Sequence, residues 1–137
     1  MDLQNRTYAL TQVAHNFGAV AVVAVPLYAL LFHAPHPGSR DLLWLALSGW
    51  ALRLASGAVF GTGELAFLRG NFQTSTALRL LPWCSRVLCA LVALVLIALS
   101  LYARPLHDGR RSTVTWRLLA TLGGTALTGA AFLRWFS

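Results

Sequence analysis

Four long apolar runs, separated by short stretches rich in helix breakers, dominate the chain. They cover residues 9–32, 42–68, 77–103 and 114–136. A helix needs roughly 20 apolar residues to cross the hydrocarbon core of a bilayer, and each run reaches that length. No period-two alternation competes with helix in any run, and lipid offers no partners to an open sheet edge. The connections at 33–41 (HAPHPGSRD), 69–76 (RGNFQTST) and 104–113 (RPLHDGRRST) carry Pro, Gly and hydroxyl residues suited to stopping one helix and capping the next. Links this short make successive helices antiparallel neighbours. The expected fold class is therefore all-α. It is a polytopic membrane protein, a single integral membrane domain over 1–137 built as a four-transmembrane-helix antiparallel bundle. Both termini then share one side with the second connection.

Composition agrees. Hydrophobic residues make up 57% of the 137 positions and charged residues 11%, against about 25% charged in ordinary soluble domains. So few charges cannot clothe a water-facing surface. The eleven basic residues are all arginine and the net charge is +7. They are scattered singly or in short clusters near run ends, a pattern that anchors helices at anionic headgroups and does not build a nucleic-acid surface. All-arginine usage points to a GC-rich bacterial genome, hence the bacterial cytoplasmic membrane. The side with the termini carries Arg6, Arg69, Arg79 and Arg134; the other carries Arg40, Arg104, Arg110, Arg111 and Arg117. The dense third connection leans toward the cytoplasm. The first run is too long for a signal-peptide core and lacks a basic leader and small-residue cleavage site, so it is expected to remain as a helix. Cys84 and Cys89 are five residues apart in the third run, about 140° around a helix, and read as small packing residues.

The polar positions inside the runs carry the candidate chemistry. Gln12, His15 and Asn16 are spaced to share one helix face and are expected to turn into the bundle. Pro26 follows and removes a backbone hydrogen bond. The second run holds Arg53 near its middle, then Ser56, Gly57 and Glu64. Arg53 needs an interior partner, a water-filled cavity or a bound anion. Gly49, Gly57 and Gly61 form a small-residue stripe along which a neighbouring helix or a flat cofactor can approach. Glu64 lies eleven residues from Arg53, about 16 Å along the axis, too far to pair with it. The third run opens with Pro82 and Arg86, and antiparallel packing puts Glu64 near the depth of Arg86. A buried polar cluster of Gln12, Asn16, Glu64 and Arg86 around His15 is expected. The fourth run, with Thr121, Gly123, Gly124, Thr125, Thr128 and Gly129, reads as a close-packing face. At the opposite surface the topology groups His33, His36, His107 and Asp108, residue types that suit Cu(II), Ni(II) or Zn(II).

These features resemble small four-helix bacterial membrane proteins of the CopD (copper-resistance) type. The matching residues are His15 in the first helix, the RLASG run from Arg53 to Gly57 in the second, and Arg86 opening RVLCALVALVLIALSLY in the third. The resemblance implies copper handling or b-type haem, with His15, Arg53 and Gly57 near the cofactor. The chain has no second histidine within a span at the depth of His15, so such a haem would take its other ligand from a partner.

Three roles remain open. One is an accessory or anchoring subunit of a larger membrane complex of redox type, with lipid, other membrane subunits or a second copy as partners. Another is a copper- or haem-handling protein. The third is a small transporter or channel with a polar Arg/Glu interior. No phosphate-binding loop or nucleophile–base set points to a catalytic activity of its own.

Overall fold

The computed structural model describes residues 3–32, 39–68, 76–102 and 109–135, and side-chain surroundings for 5–32, 40–60, 84–102, 112–129 and 131. The described chain is all-helical: α1 (Leu3–Phe32), α2 (Ser39–Leu68), α3 (Thr76–Tyr102) and α4 (Gly109–Trp135). Two helices begin well before their apolar runs. α1 takes in the polar residues from Leu3, and α4 starts at Gly109 rather than at Val114. Arg110 and Arg111 are good helix formers. Ser112, expected in a capping pair, instead lies buried inside α4, one turn before Trp116.

The buried positions explain why these helices assemble. In α1 they are Gly18, Val22, Val25, Pro26 and Ala29; in α2 they include Leu43, Ala46, Trp50 and Arg53. In α3 they are Ala90, Ala93 and Ile97; in α4 they are Ser112, Trp116, Leu119, Gly123 and Ala126. The main steps alternate between three and four residues, which keeps one stripe facing a neighbour along a closely aligned helix pair. Among the described residues α1 packs on α2 and α4, and α3 packs on the same two helices. Among the described residues the backbones of α1 and α3, and of α2 and α4, do not come close to one another. The four therefore form a ring of neighbours around one core.

The distribution of side chains is inverted relative to a protein in water. The interior is built largely from small residues, while large apolar groups such as Leu10, Phe17, Leu31 and Leu88 point outward. Among the described residues, three stretches are long and apolar enough to cross a membrane: Asn5–Phe32, Arg40–Phe60 and Cys84–Tyr102. α4, expected as a fourth, does not reach that threshold, because glycine, threonine and Arg117 dilute its apolar content. Its hydroxyls are nevertheless satisfied within the helix. Thr121 donates to the Leu118 carbonyl, Thr125 to that of Thr121, and Thr128 to that of Gly124. A threonine paired this way places no unmet donor in apolar surroundings.

Two close approaches fix the packing of α1. Toward α2, a Cβ on Gly18 would stand 3.0 Å from both the Arg53 nitrogen and the Gly49 oxygen, and one on Gly49 would stand 2.7 Å from Ala21 Cβ. Toward α4, a Cβ on Gly123 would fall 2.6 Å from the Val22 carbonyl oxygen. That carbonyl lies four residues before Pro26, the position whose helical hydrogen bond Pro26 cannot donate. The backbone of α4 thus covers the carbonyl that the proline leaves free.

Gly123→Ala should consequently lower stability by about 1–3 kcal/mol, the usual range for overpacking. Gly124→Ala has nothing within 4 Å of the new methyl group and should be neutral or stabilising by up to about 1 kcal/mol. Thermal unfolding of the two purified variants checks the contrast, and equal losses would contradict the seam.

Candidate functional site

The interior polar level begins with Arg53, at the midpoint of α2, about 21 Å of helix from either end. It is 9% exposed, with Trp50 at 0% and Ser56 at 5% on the same face. The enclosure depends on Gly18. With no side chain there, α1 lies directly against the Arg53 backbone and Cβ.

His15, one turn before Gly18, turns into the same seam. Its Nδ1 lies 3.0 Å from Ser56 Oγ. Ser56 Oγ is also 2.7 Å from the Leu52 carbonyl and 3.2 Å from that of Arg53. A hydroxyl has one proton. Given to a backbone carbonyl, it leaves the Ser56 oxygen as an acceptor, so Nδ1–H of His15 is the donor. The other ring nitrogen of neutral His15 is then an acceptor, and it becomes a donor only when the imidazole is protonated. The His15 ring also packs edge-on against Phe60, 5.7 Å between centroids, and Phe60 meets Tyr8 at 5.5 Å. The contacts Tyr8–Phe60, His15–Ser56, Gly18–Arg53 and Ala21–Gly49 run in opposite chain order on the two helices.

On α3, Arg86 Nη2 donates to the Gly129 carbonyl of α4 at 3.0 Å, while His15 and Arg53 share the α1–α2 seam. Two enclosed donors, Trp50 Nε1 and Arg53 Nη1, have no hydrogen-bond partner among the described residues. Leaving such a donor unmet costs about 1–3 kcal/mol, and more when it is charged.

The sequence expectations divide along these lines. His15 and Arg53 share the α1–α2 seam, and Arg86 bonds the Gly129 carbonyl of α4. Gln12 and Asn16, expected to face inward, are exposed, and Gln12 Nε2 instead donates to Asn16 Oδ1 at 3.4 Å. The reason is angular. The stripe that α1 buries runs through His15, Gly18 and Val22, and Gln12 and Asn16 stand to one side of it. The glycine stripe of α2 also splits. α1 occupies the Gly49 end, closing the seam to a flat macrocycle between these two helices. Gly57 borders open space, with nothing within 4 Å of where a Cβ would stand. The side chain of Glu64, together with Gly61, Arg79, His33, His36, His107 and Asp108, lies outside the described residues. Among those described, no group of three or more His, Cys, Asp or Glu could hold a metal ion. Cys84 is exposed and Cys89 half-buried, both as free thiols. Trp50 and Gly18 were not singled out from sequence. The spacing that could have found Gly18 is its place between His15 and Val22, three and four residues away.

Comparison with protein-family models, with curated proteins and with solved structures gives no match to this chain.

The His15–Ser56 bond predicts energetic coupling. In a double-mutant cycle with His15→Phe and Ser56→Ala, the two losses should be non-additive by about 1 kcal/mol, the net worth of one neutral hydrogen bond. Thermal unfolding of the single and double variants measures it, and strict additivity would contradict the contact.

Proposed function

We propose that this chain is a multi-pass integral membrane protein that acts through its interior, as a small transporter with an occluded polar site. Its four helices would span a bacterial cytoplasmic membrane as an antiparallel bundle, with both termini on one side. The large apolar side chains on the outside and small residues on the inside support the membrane setting. So does the internal pairing of the α4 threonines, which makes α4 compatible with lipid despite its lower apolar content.

The observation that carries the functional reading is Arg53. A charged residue at the centre of a membrane helix costs at least about 2.5 kcal/mol, and such residues characteristically mark substrate or ion pathways. A bundle that served only as an anchor would pack more stably with leucine at this position. Below the polar level, Val22, Val25, Ala29, Leu43 and Ala46 form a closed apolar layer. Enclosed polar groups backed by an apolar layer suit an occluded site near the middle of a membrane. The alternative of an accessory subunit rests on the outer surface, where Phe17, Leu31 and Leu88 suit a partner helix as well as lipid. A stoichiometric partner co-purifying in mild detergent would favour it.

Compartment reporters fused to either terminus should give the same signal, and opposite signals would overturn the topology. Arg53→Leu should raise thermal stability in detergent by up to about 3 kcal/mol, since replacing a buried charge with a packed apolar group is often stabilising when no partner is stranded. A loss of stability would mean that Arg53 is a structural element, and the reading built on it would fail.

A further inference from the structure

We infer that the polar level binds a compact monovalent anion, a halide or a carboxylate group, held by Arg53 together with the indole N–H of Trp50. The inference rests on the interior-site reading above and names its ligand class.

Chemistry selects the class. The enclosed atoms that lack partners among the described residues, Arg53 Nη1 and Trp50 Nε1, are both donors and sit one turn apart on α2. His15 uses Nδ1–H on Ser56. A cation would find repulsion here.

The described residues do not supply the counter-charge themselves. Of the four acidic residues, the two on α2 are far from Arg53 along the helix. Glu64 is eleven residues from Arg53 on the same helix and Asp41 is twelve, about 16 and 18 Å of axial rise. That is more than an arginine and a carboxylate side chain bridge between them. Among the described residues, therefore, Arg53 Nη1 has no anion beside it. Enclosure limits the ligand's size. Arg53 is more than nine-tenths buried, which favours a small ion or a slender carboxylate head over a carboxylate carried on a partner's helix. The open space beside Gly57, one turn from Arg53, offers the approach.

Two sources share this chemistry: a small anion from water and the head of a fatty acid from the bilayer. The test uses the whole chain in a non-ionic detergent and a HEPES buffer free of small anions. Sodium chloride, sodium acetate or sodium decanoate is titrated against sodium HEPES at matched ionic strength. Thermal midpoint and the indole N–H resonance of Trp50 are followed together. Wild-type protein should show a saturable rise in midpoint and a saturable shift of that resonance with at least one anion. A response to chloride or acetate assigns an aqueous anion, and a response to decanoate alone assigns the bilayer source. Trp50→Phe should weaken binding severalfold and Arg53→Gln at least tenfold, while the exposed Arg6→Gln leaves it unchanged. Should Arg53→Gln fail to fold, Arg53→Lys, which keeps the charge and loses the planar fork, should still bind more weakly than wild type. No saturable response of wild-type protein to any of the three anions would overturn the inference, as would equal responses in wild type and Trp50→Phe. Neither result would touch the topology, which the terminal reporters decide separately.

Discussion

A guanidinium fixed at the midpoint of a long apolar helix constrains everything around it. Arg53 is about 21 Å from either end of α2, beyond the reach of its own side chain to water at the helix termini. It has to be enclosed, and enclosure dictates the neighbouring sequence. α1 can lie over Arg53 only where it has no side chain of its own, at Gly18. One turn earlier the same face carries His15, which bonds Ser56 one turn along α2. One turn later Ala21 presses on Gly49. The polar contact and the small-residue contact are consecutive parts of a single seam.

The other side of α1 is set by a second local defect. Pro26 deprives the Val22 carbonyl of its helical partner, and α4 meets that carbonyl at Gly123. The proline is therefore part of the α1–α4 interface, and its buried position among the core residues follows. Contacts of this kind rest on close backbone approach, which is why Ala, Gly and Val line much of the interior while Phe17 and several leucines are left outside. Arg86, bonded to the Gly129 carbonyl, ties α3 to α4, and the ring of four helices closes there.

The apolar runs made the four helices legible in the sequence, because length and hydropathy are properties of single segments. Their starts were less legible. Polar residues such as Gln4, Asn5 and Arg6 extend α1 as readily as they end it, and Arg110 and Arg111 do the same for α4. Within the site, His15, Arg53 and Arg86 stood out as costly groups in apolar surroundings; His15 and Arg53 share one seam, and Arg86 turns to α4. Gln12 and Asn16 misled because spacing along a helix gives a shared face without saying which face is buried. That choice belongs to the partner helix. Gly18 admits α2 at one azimuth, and His15 lies on it while Gln12 and Asn16 do not. Trp50 was hidden for the opposite reason. An aromatic residue in an apolar run reads as packing until its N–H is seen to be enclosed.

The distribution of charge along the bundle completes the physical picture. At the middle of α2, two enclosed donors stand without a partner among the described residues. Such an interior has a free energy that depends on what fills it. Empty, it retains unmet donors in a low-dielectric setting. Filled by an anion, it converts those donors into charge-assisted bonds, which are shorter and stronger than neutral ones. Any species that binds the folded bundle and not the unfolded chain stabilises it in proportion to the logarithm of its concentration. The polar level therefore links the stability of the bundle to its occupant, and the enclosure that makes Arg53 expensive also makes it selective for small, singly charged acceptors.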